Sequence, residues 1–414
     1  MIPSLDSLIG ITNFCTSFEG IGGKIRENLE DFVVEEVLWE DLEFSREPSN
    51  YMVFKLRKRG IDTLHAIKKG SKMIKGRLYF LGMKDARALT TQYVYTENKR
   101  QIKYNFSNLL FTLEFFGYTE RPLRKEDLKG NFFHVSIKDF NAKIDEAFDK
   151  INLALKEKRL LNFFGYQRFG SKRPISHLIG REMVKRNFKE ALNLLLCYSY
   201  PYEDLKTREI REICSKGDYE RALKDMNSKM DLEMMVIKKL LKGSSPIDIF
   251  RTFPLKLRRL FVQAYQSYLF NLTLSEALEK KLNFQNFEEG ELVLSLNKRF
   301  SKPFPYKDGI KNNVLLPLMP LIGYSYRSRN TKFDELISKV MNREGIRERD
   351  FFIDELQEAS VPGDFRIPIL LGEDFKYYLL EDKLQLSFFL YRGSYATMLL
   401  RELMKPSDPY LAGF

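Results

Sequence analysis

Cysteine and histidine are scarce in this sequence, three of each in 414 residues. The six residues (Cys15, Cys197, Cys214, His65, His134 and His177) stand at no metal-ligand spacing, which argues against a bound metal and against a disulfide framework. No apolar run is long enough to span a bilayer, and no charged segment leads into an apolar one near the N-terminus. The expectation is a soluble, cytoplasmic protein without a membrane partner. A phosphate-cradling loop is missing too. Residues 18–24, Phe-Glu-Gly-Ile-Gly-Gly-Lys, have the glycines but neither follow a clear strand nor end in Gly-Lys-Ser/Thr, so they read as a turn. No internal repeat is present.

Positive charge and aromatic rings are abundant. A net charge of +12 and a pI near 9.2 point to a polyanionic partner, although basicity alone does not separate nucleic acid from a membrane surface. The 34 Phe and 21 Tyr lean towards nucleic acid, because rings interleaved with Lys and Arg suit stacked bases and phosphates. Many of these rings must be core. A chain of this length exceeds what one core usually organises, so two domains are expected.

Period-two patterning predicts strands over residues 31–37, 51–57, 77–81, 91–96, 109–116 and 131–137, with Met52, Phe54 and Leu56 sharing a face. Asp62 or Thr63 caps a helix carrying Leu64, Ile67 and Ile74 that ends at Gly76. Ile144, Ala147, Phe148, Ile151 and Leu155 mark an amphipathic helix. Strands dominate this part and are joined by short turns, so an α+β fold with a largely antiparallel sheet is expected. Helical patterns then cover residues 176–189, 217–228, 230–242, 255–281 and 333–340, with a break at Gly243-Ser-Ser-Pro246. Strands return at 291–296, 314–322 and 384–390, and Ser394 is the expected cap of a last helix carrying Leu399, Leu400 and Leu403.

Four stretches bear on chemistry. In residues 80–92 a strand ends at Gly82 and sets Lys84, Asp85 and Arg87 together, and a carboxylate between cations stays ionised and can act as nucleophile or base. On local grounds alone a surface turn with an ion pair is the better reading. Residues 31–36, Asp-Phe-Val-Val-Glu-Glu, read locally as an ordinary strand with Phe32 in the core. In residues 161–170, Asn162 has the donor and acceptor to read a base edge and Phe164 could support a ring, against an aromatic core loop as the plain alternative. Gly393-Ser-Tyr-Ala-Thr397 is locally a helix start and nothing more.

Taken together these strings resemble the signatures of the TruD family of pseudouridine synthases. Gly-x-Lys-Asp-x-x-Ala-x-Thr-x-Gln, Asp-Phe-x-Val-x-Glu and Asn-x-Phe-Gly-x-Gln-Arg-Phe-Gly are all present, spread along residues 24–402 together with the 393–402 segment and a family-like pattern in residues 261–271. The resemblance implies that Asp85 is the catalytic residue and that Phe32 reaches the active site. It further implies that Asn162 contacts the target uridine, that Phe164 shapes its pocket and that Tyr395 packs against the substrate. Lys84, Arg168, Lys172 and Arg173 are the expected RNA-binding or supporting cations. Residues 1–189 and 371–414 would form a discontinuous pseudouridine synthase catalytic domain around an inserted, mostly helical TRUD domain, residues 190–370. The implied reaction turns a uridine into pseudouridine, at position thirteen of certain tRNAs or in another structured RNA, with no cofactor, no metal and no obligate protein partner. Two alternatives remain. One is a non-catalytic RNA-binding protein on the same fold, and the other is a different RNA-modifying enzyme such as a methyltransferase, for which no glycine-rich cofactor loop is found.

Overall fold

The strand patterns of the first 140 residues become one large sheet. The computed structural model describes residues 2–98, 105–141, 143–296, 299–310 and 315–414. After a short helix α1 (Ser4–Leu8) the strands are β1 (Gly22–Lys24), β2 (Phe32–Leu38), β3 (Tyr51–Arg59), β4 (Tyr79–Phe80), β5 (Leu89–Glu97), β6 (Asn105–Ser107), β7 (Phe111–Thr119) and β8 (Leu128–Phe140). Helix α2 (Thr63–Met73) links β3 to β4, and the Asp62 carboxylate caps it by accepting from the His65 N–H. It stops three residues before the expected Gly76, and Leu64 turns out half exposed while Ile67 and Ile74 are buried. The supposed turn at 18–24 contains β1, which pairs with the end of β8.

Helices come next, in finer pieces than expected, and residues 190–197, 205–215 and 246–252 are helical where no pattern is predicted. They are α3 (Ile144–Lys156), α4 (Ser176–Val184), α5 (Phe188–Cys197), α6 (Leu205–Ser215), α7 (Tyr219–Asp225), α8 (Asp231–Leu241), α9 (Pro246–Thr252) and α10 (Leu255–Glu279). The Gly243–Pro246 break works as expected, with Ser245 capping α9 and Pro246 in its first turn, where a missing N–H costs nothing. The short strands β9 (Leu292–Ser295), β10 (Phe304–Pro305) and β11 (Leu315–Pro317) form one small sheet, and β12 (Met319–Leu321) with β13 (Asp364–Arg366) another. Val314, the expected start of a strand, lies outside the described residues. Helix α11 (Lys332–Glu344) separates β12 from β13, and β14 (Gly372–Leu379), β15 (Leu384–Tyr391) and α12 (Ala396–Met404) close the fold.

Strand order in the large sheet is β14-β15-β8-β2-β5-β3-β7-β6, with β1 on β8 and β4 on β5, and among the described residues β2 and β5 alone pair in parallel. The last strands of the chain therefore return to complete the sheet begun by the first. Alternation along each strand sets Phe32, Val34 and Glu36 of β2 on one face with Asn131, Phe133 and Val135 of β8, and registers Glu36 opposite Asn131. Thr90 and Gln92 of β5 and Lys58 of β3 share that face, since Val34 pairs with Thr90 and Lys58 with Thr90. Lys58, Thr90, Gln92, Glu36 and Asn131 thus form a polar row across the middle of a mostly apolar face.

Two large apolar cores result. One joins that sheet face to α3, α12 and residues 160–169, and the other fills the helical part. Helix α10 is buried nearly all round because it serves both, giving Ala264, Phe270 and Leu274 to the first and Phe261, Val262 and Tyr265 to the second. A Cβ at Gly180 would lie 2.0 Å from the Phe261 carbonyl oxygen, so glycine is what lets α4 and α10 touch.

Candidate active site

The segment between β4 and β5 lies across the polar row of the sheet and is held by its main chain. The Gln92 amide donates to the Gly82 carbonyl (3.2 Å), and the Lys84 N–H donates to Thr63 Oγ1 (2.9 Å). Lys58 Nζ donates to the carbonyls of Asp85 (2.6 Å) and Lys84 (3.3 Å). Burial pushes the Lys58 ammonium down to about 8, opposed by the charges of Asp85 and Asp62. Lys84 is not a free cation: its Nζ donates to Asn131 Oδ1 (2.5 Å) and faces Glu36 Oε1 at 3.0 Å. Burial raises the Glu36 carboxyl above its usual range, against the pull of Lys84 and of a hydrogen bond from the Tyr93 N–H.

With its backbone fixed, Asp85 presents its carboxylate at the surface. The partner is Arg26, whose Nη2 donates to Asp85 Oδ2 at 2.8 Å; the guanidinium is 5% exposed and the carboxylate 32%. The expected arrangement, Asp85 between Lys84 and Arg87, is therefore corrected: Lys84 turns to Glu36 and Asn131, Arg87 is exposed, and the pairing cation comes from 59 residues upstream. Sequence reasoning misses Arg26 because it lies just beyond the glycines that read as a turn. Its guanidinium stacks 4.0 Å above the centre of the Phe32 ring, and Phe32 is itself fully buried against Phe133. Phe32 thus reaches the site through Arg26, as the platform beneath the cation. Burial lowers the Arg26 pKa and the Asp85 charge partly restores it.

A second group forms around Asn162 and Phe164. Both polar atoms of the Asn271 amide, on α10, clamp Phe164 by accepting from its N–H (2.8 Å) and donating to its carbonyl (3.1 Å). The 261–271 pattern is therefore more than packing. Ser267, a turn earlier on α10, accepts from Arg168 Nε at 3.0 Å. Phe164 stands edge-on to Phe270 and tilted to Tyr395, with ring centres 5.4 and 6.1 Å away. Over these rings lies Arg366 of β13, with its guanidinium carbon 4.2 Å from the centre of Phe164 and 4.9 Å from that of Tyr395. No local pattern in the sequence marks Arg366. Tyr395 is half-buried and stands at the N-cap position just before α12, in extended conformation; Ser394, the expected cap, instead accepts from the Leu371 N–H.

The large sheet connects the two groups. Lys84, next to Asp85, bonds Asn131, which pairs with Leu390 of β15, and three residues beyond Leu390 the Gly393 carbonyl accepts from Asn162. Of the remaining expected cations, Lys172 is exposed. Arg173 is a correction: its guanidinium is turned inward, donating to the carbonyls of Leu195 and Tyr198 and pairing with Glu233 and Glu203, so it braces helices. Cavities of about 380 and 560 Å³ lie along α6 and α7 and are lined by none of these residues. Among the described residues no group of three or more His, Cys, Asp or Glu is placed to hold a metal, and no helix is long and apolar enough to cross a membrane.

The fold and this arrangement define a site in which one ion-paired carboxylate, fixed by its backbone, shares a sheet with an aromatic group carrying a guanidinium. Comparison with known proteins narrows the class. A family model described as tRNA pseudouridine synthase D (TruD) matches residues 8–403. A protein of Pyrobaculum islandicum described as "Probable tRNA pseudouridine synthase D" is 32% identical over 430 residues, covering 100% of this chain and 99% of that one. Its counterpart in Methanococcoides burtonii is 31% identical with 98% of each covered. A crystal structure from Methanosarcina mazei, described as a putative tRNA pseudouridine synthase D (TruD), superposes with a TM-score of 0.81 at 27% identity over 99% of both chains. This chain belongs to the TruD family of tRNA pseudouridine synthases.

Proposed function

We propose that the site converts a uridine of tRNA, the one at position thirteen, into pseudouridine with Asp85 as the reacting carboxylate. The observation that carries this reading is the state of Asp85: its backbone is immobilised from Lys58, while its side chain pairs with Arg26 and stays one-third open. The reaction is an isomerisation. The N1–C1′ bond breaks, a C5–C1′ bond forms, the C5 hydrogen leaves as a proton and N1 ends protonated, so no atom is gained or lost. Asp85 either attacks C1′ or takes the C2′ proton, and in both roles the Arg26 guanidinium holds the carboxylate in place.

Base chemistry requires the uridine to leave its stack and be received by an apolar wall. Phe164 and Tyr395 are assigned that role, and Asn162 the contact to the base. Phe32, beneath Arg26, is assigned as support. Lys84, Arg168 and Arg173 hold the frame, and Lys172 is assigned to RNA phosphate. The division into residues 1–189 with 371–414 and an insertion over 190–370 has outline support from the two apolar cores, which cross it at both ends: Ile175, Ile179, Met183 and Phe188 pack in the second core, and one face of α10 together with Leu294, Leu316, Met319 and Phe333 packs in the first.

The deciding experiment is Asp85→Asn in a single-turnover assay on an unmodified tRNA transcript. The change keeps shape and removes charge, so pseudouridine formation is expected to vanish while folding and tRNA binding persist. Turnover near the parent rate in a well-folded variant refutes the assignment.

A further inference from the structure

Two buried polar atoms beside Phe164 have no partner among the described residues: Asn162 Oδ1 and Arg366 Nε. The Asn162 amide is oriented unambiguously, because its Nδ2 donates to the carbonyls of Gly393 (2.9 Å) and Ile367 (3.3 Å). Both donors are therefore spent, and the side chain, in a residue only 2% exposed, can offer a ligand nothing but an acceptor. Arg366 Nη2 donates to the Asn162 carbonyl at 3.1 Å. Nε–H lies on the same edge of the guanidinium fork as Nη2, so the unpaired donor belongs to the group that bonds the main chain of the residue carrying the unpaired acceptor. An orphaned donor and an orphaned acceptor in one buried place are each costly, and a ligand that satisfies both is selected strongly over one that satisfies neither.

We propose that Arg366 is a base-reading residue, which with Asn162 Oδ1 binds the imide edge of the target uracil, Oδ1 accepting from N3–H and Nε–H donating to the neighbouring carbonyl. The inference rests on the reading of this site as the uridine-isomerising one. Uracil offers N3–H between two carbonyl acceptors, whereas cytosine offers an acceptor at N3 and meets Oδ1 with repulsion. The same pair also fits the turning of the detached base. Rotation about the axis through N3 and C6 exchanges N1 with C5 and O2 with O4, yet leaves N3–H in place. Asn162 thus keeps its bond throughout, and Arg366 passes from one carbonyl to the other. The rings of Phe164 and Tyr395, under the guanidinium, hold it in position, and of the two rings Tyr395 is the less buried.

The test uses tRNA transcripts carrying uridine, 2-thiouridine or 4-thiouridine at the position that the parent protein converts, since sulfur is a poor acceptor. In single-turnover assays the parent is expected to slow about 3- to 10-fold with each thio-base. Arg366→Met is expected to slow about 10- to 100-fold on uridine with tRNA affinity within about twofold, and to show no further loss with sulfur, the intrinsic effect of which cancels in the comparison. Arg366→Lys keeps the cation over the rings without the fork and is expected to behave likewise; it decides the matter if the methionine variant does not fold. A parent indifferent to both thio-bases, or variants that keep the parent's thio-sensitivity, overturns the inference while leaving the isomerase reading intact. Absence of any pseudouridine with the parent protein removes both.

Discussion

Replacing Arg26 by methionine would remove the cation that bonds the Asp85 carboxylate while keeping most of the length of the side chain. A fully exposed ion pair is worth about 0–1 kcal/mol and a hydrogen bond to a charged group about 1.5–3. With the guanidinium 5% and the carboxylate 32% exposed, this pair falls between the two ranges, so about 2 kcal/mol is the fitting magnitude. If that energy holds the carboxylate in its reacting position, its loss slows the chemical step about 30-fold. Phe32→Leu removes only the platform, a cation–π contact worth about 1 kcal/mol, and is expected to slow the step about fivefold. Single-turnover rates on a tRNA transcript, read beside thermal unfolding and filter binding, separate the terms. A well-folded Arg26→Met variant at the parent rate, or a loss that only tracks the folded fraction, would refute the reasoning.

The surroundings of Asp85 and of the helical core give further expected outcomes. Burial lowers the Lys58 ammonium from 10.5 to about 8, so between those values the unfolded chain holds a proton the folded chain has lost, and rising pH favours folding in that window. The stability of the parent relative to Lys58→Met should therefore increase by at most about 3 kcal/mol from pH 7 to pH 10 in denaturant melts, and a flat difference would show that Lys58 is not desolvated. Arg173→Ala should destabilise by about 1–3 kcal/mol with tRNA affinity unchanged, since its guanidinium is tied to helix carbonyls and glutamates. Lys172→Ala should do the reverse, lowering the log–log salt slope of binding by about 1.

Features that depend on local pattern were legible in the sequence of this protein. Strand alternation places Met52, Phe54 and Leu56 on one buried face, and the helical spacing from Ile144 to Ile151 becomes α3 as predicted. The motif strings locate Asp85, Asn162, Phe164 and Tyr395. The bonding partners of those residues are not legible, because each is distant in sequence. Arg26 meets Asp85 across 59 residues, Asn271 clamps Phe164 across 107, and Arg366 reaches Asn162 across 204. Locally, Lys84 is the obvious partner for Asp85. Burial of Glu36 overrides it, because an unpaired carboxylate inside the sheet would be far costlier than an exposed one left to another cation. Arg173 misleads for the same reason: a charge in a basic stretch reads as surface until Glu203 and Glu233 are seen beside it.

The position of Arg26 is itself decided far from any signature. Arg26 is one of the non-glycine residues in the left-handed region, at φ 60°, a conformation that surrounding structure must enforce. The enforcing contacts come from residues 401–414. The Ile21 N–H donates to the Leu403 carbonyl, Lys405 Nζ donates to the carbonyls of Thr16 and Phe18, and the Ile25 N–H donates to the Ala412 carbonyl at 2.9 Å. Gly413, at φ 94°, lies so close that a Cβ would stand 2.0 Å from the Ile25 carbonyl oxygen. Arg401 and Glu402 add a buried frame, Arg401 bonding Asp6 and Glu402 accepting from the N–H and hydroxyl of Thr16. Residues 16–21 and Ile25 are therefore tied to α12 and residues 405–414, with β1 between them paired to β8, and Arg26 follows directly on the last of these contacts. The cation that pairs with Asp85 is aimed in part by residues 412 and 413. A motif search centred on the carboxylate has no means of finding them, because their effect is carried entirely by main-chain hydrogen bonds and close backbone approach.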